Sequence, residues 1–316
     1  MGRAREGTRL SRSVRLTAPA KINLTLEVLG ARDDGYHELR SVFATIDLVD
    51  HVRVAASTRL DVQVRPDPMV GHASAGELSA RAVLALATAS GHAPAAHVRV
   101  AKRIPVAAGL GGGSSDAGAT LRGLAQVWRI DADLQAVGAS LGSDVPFFAS
   151  NARFASISGR GDRVRELAPP ADPLWIVLVR VVARVATAEV FRALRREEWS
   201  AGERSASLVR AFDEQRVTPA TIRSHLGNDL LDAASRVCRD IGEARLMAGS
   251  KGVTLALSGS GPSLFAVADS RADALRLARI LRGQGLDARA HELGPTVGRA
   301  VRPSAVLLPS SGGRQG

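Results

Sequence analysis

A single cysteine, Cys238, excludes an intrachain disulfide and with it the disulfide-framed scaffolds of small secreted proteins. It falls in a helical pattern with Leu231, Ala234 and Ile241, which makes it a candidate core residue. The seven histidines show no paired spacing of the kind that ligates a metal, so no metal site is expected from protein ligands. No apolar run approaches the ~18 residues of a membrane helix, and the first residues carry no signal-type apolar stretch. A cytoplasmic location is expected, with no membrane partner. Aromatic residues are scarce, at 3% of the chain with one tyrosine. That shortage bears on the charge, because a net +11 invites a nucleic-acid partner while so few rings leave little to stack bases on. Lysine is scarce too. Of the 42 basic residues only Lys21, Lys102 and Lys251 are lysines, and the arginines are spread along the chain rather than gathered in a stripe. An acidic, phosphorylated small substrate suits this charge, and no nucleic acid is expected. Apolar content is ordinary at 45%, and 316 residues can form one large domain or two moderate ones.

Glycine is what the chain concentrates. From Ile104 to Gly118 it reads IPVAAGLGGGSSDAG, with glycines at 109, 111, 112 and 113. A run without Cβ atoms lets the backbone curl through positive φ and turn several N–H groups toward one point, a geometry that holds phosphate. Val98 and Val100 before it alternate as in a strand, and Ala117, Leu121, Leu124 and Trp128 after it recur at helical spacing. The glycines therefore precede a helix N-terminus, whose free N–H groups and dipole favour an anion. Ser114 and Ser115 read as helix caps. A flexible linker, the alternative, does not account for caps and an amphipathic helix directly after the glycines. The loop fits neither GxxxxGK[ST], since Ser114 stands where lysine is needed, nor GxGxxG, since Ser114 also takes the place of the third glycine. The absence of H-R-D and D-F-G sets argues against a protein-kinase fold. A nucleotide bound here belongs to another phosphotransferase architecture.

Taken in order, residues 1–13 read as a disordered basic tail. In AKINLTLEVLG the alternation puts Ile22, Leu24, Leu26 and Val28 on one face and Lys21, Asn23, Thr25 and Glu27 on the other. Lys21 and Asn23 thus point the same way, although a surface lysine on an edge strand is an equal reading of this stretch alone. Asp33-Asp34-Gly35 marks a turn, followed by Tyr36 and His37, a ring and an imidazole able to stack on and hydrogen-bond a base. Strands are expected at 42–48, 52–55 and 60–64, then a polar break at 66–74 and a helix over 77–90 ended by Gly91. Asp144, in LGSDVPFF, sits in a turn restrained by Pro146, either as a turn residue or as a carboxylate held beside the phosphate loop. The prolines near 169–173 suggest a boundary between domains 14–168 and 169–301. Beyond it come a buried strand over 174–182, a helix capped by Thr187 and a polar, undetermined stretch over 200–226. A helix over 228–247 and a β-β-α-β run from Thr254 to Leu293 follow, and its first two strands are joined by SGSGPS. Residues 302–316 read as a loose tail.

These pieces together resemble the GHMP kinase superfamily, whose phosphate loop looks like PVAAGLGGGSSDA (105–117) and whose C-terminal glycine motif looks like LSGSGPSLF (257–265). PAKINLTL at 19–26, DGYHEL at 34–39 and LGSDVPFF at 141–148 are similar, within it, to the kinases that phosphorylate the 2-hydroxyl of 4-diphosphocytidyl-2-C-methyl-D-erythritol in non-mevalonate isoprenoid synthesis. The resemblance implies an α+β fold with an N-terminal domain like ribosomal protein S5 domain 2 and a ferredoxin-like C-terminal domain. It implies Lys21 and Asp144 as catalytic pair, and Tyr36, His37, Asn23 and Thr187 as substrate contacts. Pro105, Val106, Ala107, Ala108, Gly109, Leu110, Gly111, Gly112, Gly113, Ser114 and Ser115 would form the ATP loop, with Mg²⁺ accompanying ATP. Ala107 and Ala108 stand where the family often has glycine, Gly76-Glu77 where it has Asp-Asn, and Val181-Val182 where it has Pro and Gly. Kinases of the homoserine or mevalonate type are the alternative within enzymes. A basic RNA-binding protein with an S5-like domain is the alternative outside them.

Overall fold

The computed structural model describes residues 13–65 and 75–296. The expected tails and the polar break at 66–74 lie outside the described residues, except that Ser13 begins the first strand.

Strands β1 (Ser13–Ala31) and β2 (His37–Ala56) form a long antiparallel hairpin closed at Gly35, whose φ is 82°. The strands expected at 42–48 and 52–55 are one continuous β2. Its first half is held between β1 and β5 and its second between β1 and β4, so the polar residues between the two apolar runs do not end it. The chain continues through β3 (Asp61–Arg65), α1 (Ala75–Ser90), β4 (Ala96–Ala101), α2 (Gly112–Trp128), α3 (Leu134–Ala139), α4 (Val145–Ser150), β5 (Phe154–Gly159) and β6 (Arg163–Leu167). Then come β7 (Leu174–Arg180), α5 (Thr187–Ala193), α6 (Glu203–Asp213), α7 (Pro219–His225), β8 (Gly227–Asn228), α8 (Leu231–Val237), α9 (Arg239–Gly249), β9 (Ala256–Leu257), β10 (Leu264–Ala268), α10 (Arg271–Gly283) and β11 (Asp287–Leu293). The strands run β3-β4-β2-β11-β7-β10-β9, with β1 and β5 also pairing with β2, and one register pair, Leu293 opposite Ile46, joins β11 to β2.

Helices α1 and α2 bury Leu86, Leu121 and Leu124 against Leu16, Val52 and Val54 of the hairpin. Behind the hairpin, Ile22, Leu24 and Ile46 pack on Ile176, Leu178 and Phe265 of β7 and β10. Each such side chain removed from water contributes roughly 1.5–3 kcal/mol, which fixes the hairpin from both sides. The polar face of β1 is buried as well. Glu27 accepts the N–H groups of Ser205 (2.7 Å) and Arg204 (3.3 Å), so it closes the N-terminus of α6, a helix within the stretch left undetermined from sequence. The helix expected over 228–247 is two helices, because the backbone turns extended at Cys238, which is half-buried against the core. β7 stops at Arg180, and Val182 is 90% exposed.

Candidate active site

Lys21 is not a surface lysine on an edge strand. β1 pairs with β2 along its length and with β8 at Thr25 and Leu26, and the side chain of Lys21 is 4% exposed. Register slips between Pro19 and Lys21 and between Asn23 and Thr25 bracket the two polar residues, a device that re-aims side chains. The Lys21 ammonium donates to Asn23 Oδ1 at 2.8 Å, lies 3.3 Å from Asp144 Oδ2 and sits 4.2 Å from the Phe43 ring centroid. Asn23 donates in turn to Ser41 Oγ at 3.0 Å and accepts the Gly259 N–H at 2.9 Å. Asp144 occupies the position before α4 but makes no capping hydrogen bond, so its carboxylate is left for the lysine and the cavity.

The glycine loop is gripped from both sides. Lys21 N–H donates to Leu110 O at 2.9 Å, Ser258 Oγ donates to Gly109 O at 3.0 Å and Ser263 N–H donates to Ala108 O at 3.3 Å. Gly109 takes φ 72°, and a Cβ there would stand 2.4 Å from Ser258 O, so the turn after β9 approaches at a distance only glycine permits. Ala107 takes φ 55° in spite of its Cβ. Ser114 and Ser115 are not caps. Left-handed Gly111 holds the cap position and α2 starts at Gly112, which puts both serines inside the first turn. The first bond of the helical ladder is Ser115 N–H to Gly111 O at 2.8 Å, so the N–H groups of Gly112, Gly113 and Ser114 precede it. Ser115 is fully buried, while Ser114 faces the cavity.

That cavity, about 1030 Å³, is lined by Lys21, Asn23, Asp144, Tyr36, His37 and Thr187 together with Pro105–Gly109 and Gly111–Ser114. Tyr36 is half-exposed at the hairpin turn. His37 stacks on Phe191 of α5 at 5.0 Å between centroids and meets Trp199 edge-on at 6.0 Å. Burial lowers its pKa, which favours the neutral ring, in which one nitrogen donates and one accepts. Thr187 does not cap α5 either, because Ala186 holds that position and Thr187 is the first helical residue. Its hydroxyl instead pairs with Ser260 Oγ at 2.9 Å, tying α5 to the second glycine turn.

Sequence reasoning missed a buried trio beneath the loop. Lys102, 3% exposed, donates to Asp116 Oδ2 at 2.7 Å and to Asp50 Oδ2, and Asp50 Oδ1 also accepts the Ile104 N–H at 2.8 Å. A Cβ on Gly112 would stand 3.2 Å from Lys102 Nζ, so the ammonium lies directly against the start of α2. Burial, with the like charge of Asp50, pushes Asp116 up to about 8 against the opposing pull of Lys102. Burial works to lower Lys102, but the two carboxylates raise it. The sequence shows only that lysine is scarce, three in the chain, and it names no partners for Lys102. Phe191 was legible as a neighbour of Thr187, four residues on along one helix face.

The model of the GHMP kinases N terminal domain matches residues 77–151, from α1 through the glycine loop to α4. A 4-diphosphocytidyl-2-C-methyl-D-erythritol kinase from Shouchella clausii is 35% identical over 276 residues, 85% of this chain and 90% of its own. This chain belongs to that kinase family. A crystal structure of 4-(cytidine 5'-diphospho)-2C-methyl-D-erythritol kinase matches with a TM-score of 0.72 at 33% identity, over 89% of this chain and 99% of the other. The crystal structure of a homoserine kinase from Cytophaga hutchinsonii matches with a TM-score of 0.66 at 15% identity, over 95% and 100%, and shares the fold alone. The α+β GHMP kinase fold expected from the motifs is thus the fold observed.

Proposed function

We propose that this protein transfers the γ-phosphoryl group of ATP to the 2-hydroxyl of 4-diphosphocytidyl-2-C-methyl-D-erythritol, within the synthesis of isoprenoid precursors. The observation that carries this reading is one cavity in which Lys21 and Asp144 lie between a glycine loop at a helix N-terminus and a wall made by Tyr36, His37 and Phe191. Homoserine and mevalonate have no ring for that wall. An RNA-binding module has no use for the buried lysine and its carboxylate.

Phosphoryl transfer asks a protein mainly for position and charge. In this reading the N–H groups of Gly112, Gly113 and Ser114 receive the nucleotide phosphates, and the dipole of α2 favours their negative charge. Asp144 takes the proton of the 2-hydroxyl as its oxygen bonds to the γ-phosphorus. The bond from that phosphorus to the bridging oxygen breaks, and ADP leaves with the electron pair. Lys21, already on Asp144 and Asn23, stabilises charge on the attacking oxygen. Neutral His37 and the Tyr36 ring hold the cytosine, and Asn23 and Thr187 line its path. Residues 14–168 serve in this scheme as the ATP-binding domain and 169–301 as the C-terminal domain that closes the site.

ATP would enter as its magnesium complex, which would supply neutralisation of charge on the phosphates. Magnesium keeps several waters and takes one or two protein oxygens beside phosphate. The described residues hold no group of three or more His, Cys, Asp or Glu that could cage a metal, while Glu77 and Asp144 offer single carboxylates on the cavity wall. That donor set fits an ion held chiefly by phosphate and water, with one of these two carboxylates beside it. ATP consumption measured separately with 4-diphosphocytidyl-2-C-methyl-D-erythritol, homoserine and mevalonate tests the reading. Turnover of the cytidylyl substrate alone is the expected result, and turnover of either other alcohol in its place would overturn it.

A further inference from the structure

Arg160 belongs to none of the motifs that point to the site, yet it lines the cavity beside Tyr36. It follows β5 in the turn Gly159–Asp162, and its guanidinium lies over the Tyr36 ring, 5.3 Å from the centroid. Two of its arms are fixed by the protein. Nε donates to Asp162 Oδ2 at 2.9 Å and Nη2 donates to Ala139 O at 3.0 Å. Nη1 makes no hydrogen bond to a described residue. A guanidinium is a rigid planar fork, so anchoring two arms sets the direction of the third. Tyr36, by contrast, is held through its backbone, with its N–H on Asp34 Oδ1 at 3.1 Å, and is 51% exposed. Arg160 lies over this ring, and among the described residues no other ring or cation does.

The other cations around the cavity stand differently. Lys21 is engaged by Asn23 and Asp144, and Lys102 by Asp50 and Asp116. Arg81 and Arg192 sit on α1 and α5, and neither lies over the Tyr36 ring. Arg160 alone among these combines a contact to that ring with an arm left over.

We propose that Arg160 is a specificity-determining substrate-binding residue, which fixes one face of Tyr36 so that the other receives the pyrimidine and presents Nη1 to the diphosphate of a cytidine diphosphate-bearing substrate. This rests on the function proposed above for the identity of the acceptor. A cation over an aromatic face restrains the ring, and a charge-assisted hydrogen bond to phosphate is among the stronger polar contacts a protein makes. Both act in binding rather than in phosphoryl transfer, so they discriminate the cytidylyl substrate from smaller alcohols.

Tyr36 is the only tyrosine, so ¹³C-tyrosine labelling gives one ring signal to follow. The full chain and its Arg160→Met variant are titrated with cytidine diphosphate and with cytidine. The expected result is a loss of about tenfold in affinity for cytidine diphosphate, a smaller loss for cytidine and a displaced ring signal in the unliganded variant. In turnover assays, KM for 4-diphosphocytidyl-2-C-methyl-D-erythritol rises about tenfold while KM for ATP stays within about twofold. Arg160→Lys, which keeps the charge but loses the fork, recovers part of the cytidine diphosphate affinity, and it carries the test if the methionine variant does not fold. Unchanged cytidine diphosphate affinity in the variants, or an equal loss for ATP, overturns the proposal. If the wild-type chain phosphorylates no cytidylyl substrate, the acceptor reading fails, and the cytidine diphosphate titration still decides for or against Arg160.

Discussion

At the scale of single residues, the arrangement around Asp144 separates chemistry from binding. The carboxylate lies 3.3 Å from the Lys21 ammonium and caps no helix, so its amide isostere removes a proton acceptor and the charge facing Lys21 but no capping hydrogen bond. Asp144→Asn should lower kcat by roughly 10²- to 10⁴-fold, the usual worth of a general base, with ATP affinity retained. Rapid-quench turnover beside calorimetric ATP binding checks both halves, and a matching loss of ATP affinity would contradict the assignment. Ala107 gives a second residue-scale expectation. Its φ of 55° is a left-handed conformation that a Cβ disfavours by about 1–2 kcal/mol. Ala107→Gly removes that strain but adds unfolded-state entropy worth about 0.5–1 kcal/mol. The net should be a gain in stability of about 0.5 kcal/mol, read by urea denaturation. The backbone found here is one that glycine adopts freely.

Between elements, the two glycine-rich turns act as one piece, because Gly109 and Ser258 approach at a distance that no side chain tolerates. A methyl group on Gly109 would stand 2.4 Å from Ser258 O and 2.8 Å from Gly261 O, both backbone atoms that cannot swing aside. Gly109→Ala should therefore weaken ATP binding and lower stability together, by about 2 kcal/mol or more, measured by nucleotide titration and thermal unfolding. An unchanged nucleotide affinity would mean that the loop does not hold phosphate. This pairing also shows where sequence stopped informing. Alternation along β1 correctly put Lys21 and Asn23 on one face, and helical spacing found α2, although the helix begins at Gly112 within the glycine run and not after it. The cap was misplaced because left-handed Gly111 starts the helix before the serines, and capping rules presume an extended residue there. The apolar pattern of β2 reads as two strands because it is interrupted, whereas its pairing partners β5 and β4 are set by contacts far away in the chain. Arg160 and the buried trio gave no local signal at all, since each depends on partners that only the folded chain brings together.

Across the whole molecule, that trio couples β2, the residue after β4 and the second turn of α2 to the pH of the solution. Asp50, Lys102 and Asp116 put one ammonium between two carboxylates in an interior position, and a single positive charge does not balance both. Asp116 yields, its pKa pushed from 3.8 up to about 8, chiefly by burial. Folding then takes up a proton on Asp116 wherever the unfolded chain would have lost it, so its contribution to stability is fully present below 3.8 and is lost as pH rises through about 8. The raised pKa of Lys102 acts in the alkaline range, above the ordinary lysine value of 10.5, and leaves this window to Asp116. Urea unfolding at intervals from acid to mildly alkaline pH should show the wild-type chain losing stability across that window relative to Asp116→Asn, which keeps the shape of the side chain and cannot ionise. Lys102→Met is the counterpart. It strands a buried carboxylate without its cation and should cost about 3–5 kcal/mol at neutral pH. That cost should shrink in acid, where protonation of the carboxylates removes the uncompensated charge. A cost independent of pH would mean that Lys102 matters here for packing rather than for charge.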